Sequence, residues 1–289
     1  ASSGGIASTG RMPGASAQFR ACGAGVAVTQ PDGTRISAIV SRENTVLKLV
    51  RRLARDNTAY RKFGQIWLEG DHLCRAASDR GVVPAIAVFT ESLWIAQQAQ
   101  WRNRLPNVVV VPDFLFDAVS GLESAGRMGF VIDLRATTAI LPGVASVVLD
   151  RLQDAGNVGS ILRSAAALGF SQVIALKGSA SLWSPKVLRA GMGAHFALHL
   201  VEVTDASALS GLDVPLIATS SHQGVPVHTT DLPWPCAWAF GHEGQGLDAA
   251  LAQQAKVWCR IGQPGGQESL NVAAAAAICL HTSVIQRPV

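Results

Sequence analysis

The sequence predicts an α/β protein with two unequal parts: a small N-terminal α/β domain and a C-terminal, mostly parallel sheet with helices on both faces. The chain has 289 residues, of which 48% are hydrophobic and 15% are charged, so it can bury the cores of two domains. Short apolar runs of strand length alternate with helical segments along most of the chain. Repeated βα units of this kind form parallel sheets that are covered by helices on both faces.

The first 34 residues are rich in Ala, Ser and Gly and contain no acidic residue before Asp32. Because such a composition buries little apolar surface, we interpret residues 1–34 as a flexible tail. An organelle transit peptide is an alternative, since Arg11 and Arg20 lie in an acid-free, Ser-rich stretch. A chain start at Met12 is another alternative.

Residues 35–125 are predicted to form the N-terminal domain, and residues 126–140 a linker. Ser41 or Asn44 can cap a first helix that runs to about residue 56. Strand and helix signals then alternate. Strands are predicted at 65–69, 82–89 and 108–111, with helices from Asp71, through Trp94 and Trp101, and from Asp113.

The first predicted helix carries a row of basic side chains, namely Lys48, Arg51, Arg52 and Arg55. They recur at helical spacing on a face separate from the apolar one. Residues 42–62 contain seven basic and two acidic residues, and the whole excess of +4 lies in residues 1–125. Such a concentrated basic face is typical of contact with a nucleic-acid backbone, although an ordinary solvated face is the alternative.

Residues 141–289 are predicted to form the second domain. Strand signals lie at 146–149, 172–176, 198–203, 216–220, 237–240 and 257–261, and helix signals lie at 158–168, at 185–191 and from Ser269 onward. Three motifs of this domain lie where a predicted strand gives way to a loop or a helix. In open α/β sheets the ligand site lies at the carboxyl ends of the strands, so we expect the three motifs to converge.

The three motifs are the pair Asn157 and Arg163, the glycine-rich segment Gly-His-Glu-Gly-Gln-Gly-Leu at 241–247, and Glu-Ser-Leu-Asn-Val-Ala at 268–273. Three glycines in six residues let backbone approach a ligand closely. The second motif is not a dinucleotide fingerprint, because Glu243 stands in place of the second glycine, and it is not H-E-x-x-H, because Gly246 stands in place of the second histidine. Ser269 is interpreted as the N-cap of the last helix.

In this order and spacing, the motifs resemble the signature of the SpoU (TrmH-type) RNA 2′-O-ribose methyltransferases of the SPOUT superfamily. Gly241, Ile261 and Leu270 lie 20 and 9 residues apart, the spacing at which that family contacts S-adenosylmethionine. The resemblance implies a SPOUT-type knotted C-terminal sheet, a homodimer and S-adenosylmethionine as the cofactor. The N-terminal domain is similar to the RNA-binding domain that many family members carry.

Residue roles follow from the resemblance. It implies a catalytic set of Arg163, Asn157, Glu243, Ser269 and Asn271, a cofactor-binding set of Gly241, Ile261, Leu270 and Gly246, and an RNA-binding set of Lys48, Arg51, Arg52 and Arg55. Arg163 would act as a base or as an electrostatic partner of the reacting hydroxyl; its permanent charge favours the second. The implied reaction is methylation of a ribose 2′-hydroxyl, with ribosomal RNA favoured over tRNA. A non-catalytic RNA-binding protein with the same fold is the alternative.

Composition favours a cytoplasmic protein. The five cysteines are scattered and include no C-x-x-C pair, which favours reduced thiols and neither a disulfide framework nor a metal site. His195 and His199 are interpreted as core or surface residues rather than as metal ligands. The longest apolar run of the C-terminal region, residues 272–280, is too short to span a bilayer, so no membrane partner is expected.

Overall fold

The structure is a computed structural model that describes residues 27–134, 137–265 and 269–287. The N-terminal strands are β1 (Ala27–Thr29), β2 (Arg35–Ala38), β3 (Gln65–Glu69), β4 (Ile86–Thr90), β5 (Asn107–Val111) and β6 (Met128–Asp133). The N-terminal helices are α1 (Thr45–Arg55), α2 (Ala59–Phe63), α3 (Asp71–Ser78), α4 (Glu91–Trp101) and α5 (Asp113–Val119). The strands form one mixed sheet in the order β1-β2-β5-β4-β6-β3.

Part of the predicted linker at 126–140 forms a strand. Residues 128–133 form β6, which lies between β3 and β4 and pairs antiparallel with both. The first five residues of β6, the run Met-Gly-Phe-Val-Ile, are buried. Such burial is expected of a strand that lies inside a sheet covered on both faces. Residues 128–133 therefore belong to the N-terminal sheet.

The predicted tail also contains a strand. Residues 27–29 form β1, which pairs antiparallel with β2 after a turn in which Gly33 has φ +85°. Residues 1–26 lie outside the described residues. The first predicted helix is confirmed as α1, and Asn44 is its cap, because the Asn44 side chain accepts a hydrogen bond of 2.9 Å from the Val46 amide.

The C-terminal strands are β7 (Ser146–Leu149), β8 (Gln172–Leu176), β9 (His199–Val203), β10 (Leu216–Thr219), β11 (Val225–Pro226), β12 (Ala237–Phe240) and β13 (Val257–Arg260). The helices are α6 (Ala155–Ala167), α7 (Pro185–Gly191), α8 (Ala249–Ala252) and α9 (Val272–Ile285). The sheet has the order β11-β13-β10-β12-β7-β8-β9, and every pairing is parallel. One core packs α6 and α9 on one face, and a second core lies on the other face, so helices cover both faces as predicted.

The last helix begins two residues later than expected. Asn271, not Ser269, is the N-cap of α9: its side-chain oxygen accepts hydrogen bonds from the amides of Ala273 and Ala274, at 2.9 and 3.2 Å. Asn and Ser cap equally well, so local preference could not choose between them. The indole of Trp238 on β12 donates a 2.8 Å hydrogen bond to Ser283, which fixes α9 on the sheet.

A partly buried polar network joins the two domains. Tyr60 of α2 donates to the carboxylate of Glu202 at 2.7 Å, and Arg61 forms a 3.0 Å ion pair with the same carboxylate. Glu202 also accepts from the Leu182 amide at 2.8 Å. Burial and the neighbouring carboxylate raise the pKa of Tyr60, so this hydroxyl remains a donor. The two domains are therefore held in a defined orientation.

Burial of His195 is expected to make the stability of the fold depend on pH in the acidic range. It is buried beside Trp183, its Nε2–H donates to the Leu182 carbonyl at 2.9 Å, and its Nδ1 has no partner among the described residues. Burial lowers the pKa of His195 from 6.5 to about 4, so the unfolded chain binds the proton more tightly. The stabilisation that the neutral ring adds to the free energy of unfolding is fully present above pH 6.5 and is lost as the pH falls from 6.5 toward 4. The loss amounts to roughly 3 kcal/mol.

We expect His195→Gln to remove most of this acid dependence, because the amide does not titrate. Denaturant unfolding between pH 4 and 7 measures the effect. His72→Gln, on an exposed position of α3, is the matched control and should follow the wild type. Parallel pH curves for the wild type and His195→Gln would contradict the prediction.

Candidate functional site

A cavity of about 550 Å³ lies at the carboxyl ends of β10, β12 and β13. Three segments enclose it: the loop after β12, the loop after β13 and the start of α9. The sequence-predicted residues that line it are Gly241, Glu243, Gly246, Ile261, Ser269, Leu270 and Asn271. The expected convergence of the second and third motifs is therefore observed, at the position where open α/β sheets bind ligands.

The glycine-rich loop folds back on itself beside the cavity. The backbones of His242 and Gly246 exchange two hydrogen bonds, of 3.0 and 2.8 Å. A side chain on Gly241 would lie 2.5 Å from the carbonyl carbon of Gly246, so only glycine fits there. Gly246 has φ +66°, a left-handed conformation that glycine adopts without strain. Two of the three glycines are thus required by the turn itself.

A chain of three polar side chains crosses from α6 to α9. The Asn157 amide donates to Oε1 of Glu243 at 2.6 Å, and the Asn271 amide donates to Oδ1 of Asn157 at 2.9 Å. Asn157 itself is held at the start of α6, where its backbone amide donates to Asp154 at 2.7 Å. One residue from each of the three motifs therefore forms a single network at the cavity rim.

Arg163 lies apart from this network. It follows Asn157 by six residues on α6, which places the two side chains about 120° apart around the helix and about 9 Å apart along it. Its side chain is exposed, and it is not among the described residues that line the cavity. A single copy of the chain does not bring Arg163 to the other predicted catalytic residues.

Asp150 and Arg151 are site residues that the sequence analysis did not identify. Asp150 is buried at the end of β7, where it accepts hydrogen bonds from Arg151 at 3.1 and 3.2 Å and from the Asp248 amide at 2.7 Å. Arg151 also donates to the Gly246 carbonyl at 3.1 Å and to Gln245 at 2.9 Å. The pair therefore holds the glycine-rich loop in place. Arg151 has φ +58°, and no local sequence signal predicts this for an arginine.

The predicted RNA-binding set lies on α1, but its members differ in their surroundings. Lys48 forms a 2.7 Å ion pair with Glu43, and Arg52 lies 4.0 Å from Asp56. Arg51 is partly buried. Arg55 is exposed at the end of the helix, and its guanidinium donates to the Ala118 carbonyl at 3.2 Å.

The described residues form neither a metal-binding cluster nor a membrane-spanning helix. Within residues 27–134, 137–265 and 269–287, no group of three or more His, Cys, Asp or Glu side chains is arranged to hold a metal ion. His195 is buried, and the Nε2–H of His199 donates to the Ala139 carbonyl at 2.7 Å. In the same residues, no helix has the length and apolar character needed to cross a bilayer.

Fold and cavity together define a parallel α/β protein that binds a ligand at the carboxyl ends of its strands. Residues 145–281 match the SpoU rRNA Methylase family. Over 270 residues, which cover 85% of this chain and 93% of the relative, the sequence is 30% identical to an uncharacterized tRNA/rRNA methyltransferase of Synechocystis sp.. The chain belongs to the SpoU rRNA methylase family.

The chain is also similar to a 23S rRNA 2′-O-methyltransferase and to a solved structure with bound cofactor. A Bacillus subtilis 23S rRNA (guanosine(2553)-2′-O)-methyltransferase is 28% identical over 225 residues, which cover 74% of this chain and 86% of that protein. A crystal structure of an AdoMet-bound rRNA methyltransferase from Sinorhizobium meliloti superimposes with a TM-score of 0.75 at 26% identity, covering 86% of this chain and 97% of that one. The fold predicted from the sequence, a mostly parallel sheet flanked by helices, is shared with that structure.

The contacts of Arg151 with the glycine-rich loop should support cofactor binding. We expect Arg151→Gln to weaken S-adenosylmethionine binding about tenfold, because two hydrogen bonds to the loop are lost at about 1 kcal/mol each, less what the glutamine recovers. Isothermal titration calorimetry measures the change. Arg260→Gln removes an exposed arginine whose Nε donates to the Gly224 carbonyl, outside the glycine-rich loop, and is the control. An unchanged affinity in Arg151→Gln would show that the loop keeps its shape without the pair.

Proposed function

We propose that this protein transfers the methyl group of S-adenosylmethionine to a ribose 2′-hydroxyl of ribosomal RNA. The observation that carries the proposal is the polar network of Asn157, Glu243 and Asn271 at the rim of the cavity formed by Gly241, Ile261 and Leu270. The 23S rRNA 2′-O-methyltransferase of Bacillus subtilis and the AdoMet-bound enzyme of Sinorhizobium meliloti support the choice of reaction and cofactor.

The cavity has the chemistry that S-adenosylmethionine requires. Glu243 is the one carboxylate among the described lining residues, and no Lys or Arg accompanies it, so the lining favours a cationic ligand. Oε1 of Gln263 is buried in the cavity wall and accepts no hydrogen bond from the described residues. Such an acceptor is available to an amino group of the ligand. Ile261, Leu270 and Trp258 supply apolar surface for a base and a methylene chain.

The residues around the cavity position the reactants and receive the proton. S-adenosylmethionine supplies an electrophilic methyl group on a sulfonium. Asn157, which is itself held by a hydrogen bond from Asn271, donates to Oε1 of the Glu243 carboxylate. The other carboxylate oxygen would then accept the proton of the ribose hydroxyl. Ser269, an exposed residue of the cavity lining, would hydrogen-bond the incoming ribose. Most of the rate enhancement would come from orientation of the two reactants.

We further propose that the enzyme works as a homodimer in which a second copy supplies Arg163. Arg163 is exposed and does not line the cavity of its own chain, whereas a guanidinium near the reacting oxygen would stabilise developing negative charge. On α9, Ile278 and Ile285 are exposed at 40% and 66%, an apolar surface suited to self-association. The cytoplasm, where ribosomal RNA is available, is the proposed location.

Methyl transfer from radiolabelled S-adenosylmethionine tests the proposed function directly. Purified protein is incubated with protein-free ribosomal RNA or with bulk tRNA, and the RNA is then digested to nucleosides. Mass spectrometry is expected to find a 2′-O-methylnucleoside in ribosomal RNA. Methylation confined to tRNA would identify tRNA as the substrate. A base-methylated product would refute ribose methylation. Binding of RNA without binding of the cofactor would indicate a non-catalytic protein.

A further inference from the structure

A groove of about 420 Å³ runs along the junction of the two domains. One wall is formed by the end of α1 and by the segment that follows α5. The other wall is formed by α7 of the C-terminal domain. The described residues that line the groove are Ala54, Arg55, Asn57, Ser120, Gly121, Leu122, Glu123, Pro185, Lys186 and Arg189.

Positive charge dominates this groove. Arg55 and Lys186 are exposed, Arg189 is partly buried, and Glu123 is the one carboxylate among the lining residues. None of the three cations forms an ion pair within the part of the chain that the structure describes. Elsewhere on α1, Lys48 and Arg52 are already paired with carboxylates. Of the basic row on α1, Arg51 and Arg55 form no ion pair among the described residues, and Arg55 is the one that lines the groove.

Helix α7, which forms one wall of the groove, packs directly against α6. A Cβ on Gly159 of α6 would lie 2.3 Å from Cβ of Ala190 on α7, so the two helices are in backbone contact there. Gly159 follows Asn157 by two residues, and Arg163 follows Gly159 by one turn on the same side of α6. Lys186 and Arg189 therefore sit on the helix that packs directly against the one presenting Asn157 and Arg163.

We propose that this interdomain groove binds the phosphodiester backbone of the RNA substrate and guides the strand from the N-terminal domain to the site of methyl transfer. The identity of the partner as RNA rests on the proposed function. Three unpaired cations around one groove match a polyanion with regularly spaced charges. Among the lining residues, Gly121 packs so closely on α1 that a Cβ there would lie 2.7 Å from the Ala54 carbonyl oxygen, so the segment after α5 is held against the end of that helix. The principal RNA contact is thereby placed at the groove rather than along the whole basic row of α1.

Salt-dependent RNA binding tests the proposal. A fluorescein-labelled single-stranded RNA of mixed sequence is titrated with the full-length protein at several salt concentrations, and fluorescence anisotropy gives the affinity. Each phosphate contact of a single strand contributes about 0.7 to the slope of log affinity against log salt. We expect Arg55→Gln/Lys186→Gln to lower the slope by roughly one unit and the affinity several-fold. Arg189→Gln should act in the same direction.

The control is Arg80→Gln/Lys256→Gln, which removes two exposed cations that do not line the groove. Lys256 directly precedes β13 and so lies at the opposite end of the sheet from the cavity. Equal losses in the control and groove variants would overturn the proposal, as would wild-type affinity and slope in Arg55→Gln/Lys186→Gln. Calorimetry with S-adenosylmethionine should give the wild-type affinity for every variant. A wild-type protein that neither binds the cofactor nor methylates RNA would instead refute the proposed function, and the salt slopes would still decide the groove.

Discussion

Replacing Glu243 with Gln should lower the methyl-transfer rate constant by roughly 100-fold or more, the usual size of a general acid–base contribution. The glutamine amide keeps the size of the side chain but removes its charge and its ability to take up a proton. It can still accept the 2.6 Å hydrogen bond from Asn157. The network geometry would therefore survive while the chemistry is lost, so the variant separates proton transfer from positioning.

Single-turnover measurements with saturating cofactor provide the readout, because they report the chemical step rather than product release. Asn157→Ala is the comparison: it leaves the Glu243 carboxylate in place without its 2.6 Å donor. We expect a smaller loss from Asn157→Ala, because the carboxylate remains but is less well oriented. If Glu243→Gln kept more than half of the wild-type rate, Glu243 would have no role in proton transfer.

Much of the site could be predicted because its residues lie at strand ends. Each motif follows a strand, and parallel strands bring their carboxyl ends to one edge of the sheet. Gly241, Ile261 and Leu270 accordingly line one cavity although they are far apart in sequence. The resemblance supplied roles for these residues, and it also supplied a knot, which no pattern of strands and helices predicts. The knot and the residue roles stay predictions.

The errors of the sequence analysis arose where long-range contacts decide the structure. Strand β6 follows a glycine-rich segment that suggests a domain boundary, yet it completes the N-terminal sheet by pairing with β3, more than 60 residues away in sequence. The contacts of Arg151 with Gln245 and Gly246 likewise join positions 94 and 95 residues apart. Local sequence preference carries no information about such pairs. An acidic residue and an arginine at the end of a buried strand were the only signal available.

Arg163→Ala should abolish nearly all activity while cofactor affinity is unchanged. The loss of one charge-stabilising group in an active site corresponds to about 100- to 1,000-fold in rate. Arg163 lies outside the cavity of its own chain, so cofactor affinity should be close to that of the wild type. Arg163→Lys should recover little, because an ammonium cannot reproduce the planar fork of a guanidinium.

Mixed dimers decide which chain supplies the guanidinium. Arg163→Ala and Glu243→Ala variants are each inactive alone, and they are mixed in equal amounts under conditions that exchange subunits. In a twofold-symmetric dimer with an arginine contributed in trans, half of the molecules are hybrids with one intact site, so activity returns to about a quarter of the wild-type value. With an arginine contributed in cis, no hybrid contains an intact site and the mixture stays inactive. The second outcome would require α6 to rearrange so that Arg163 reaches the Asn157–Glu243 network of its own chain, about 120° around the helix.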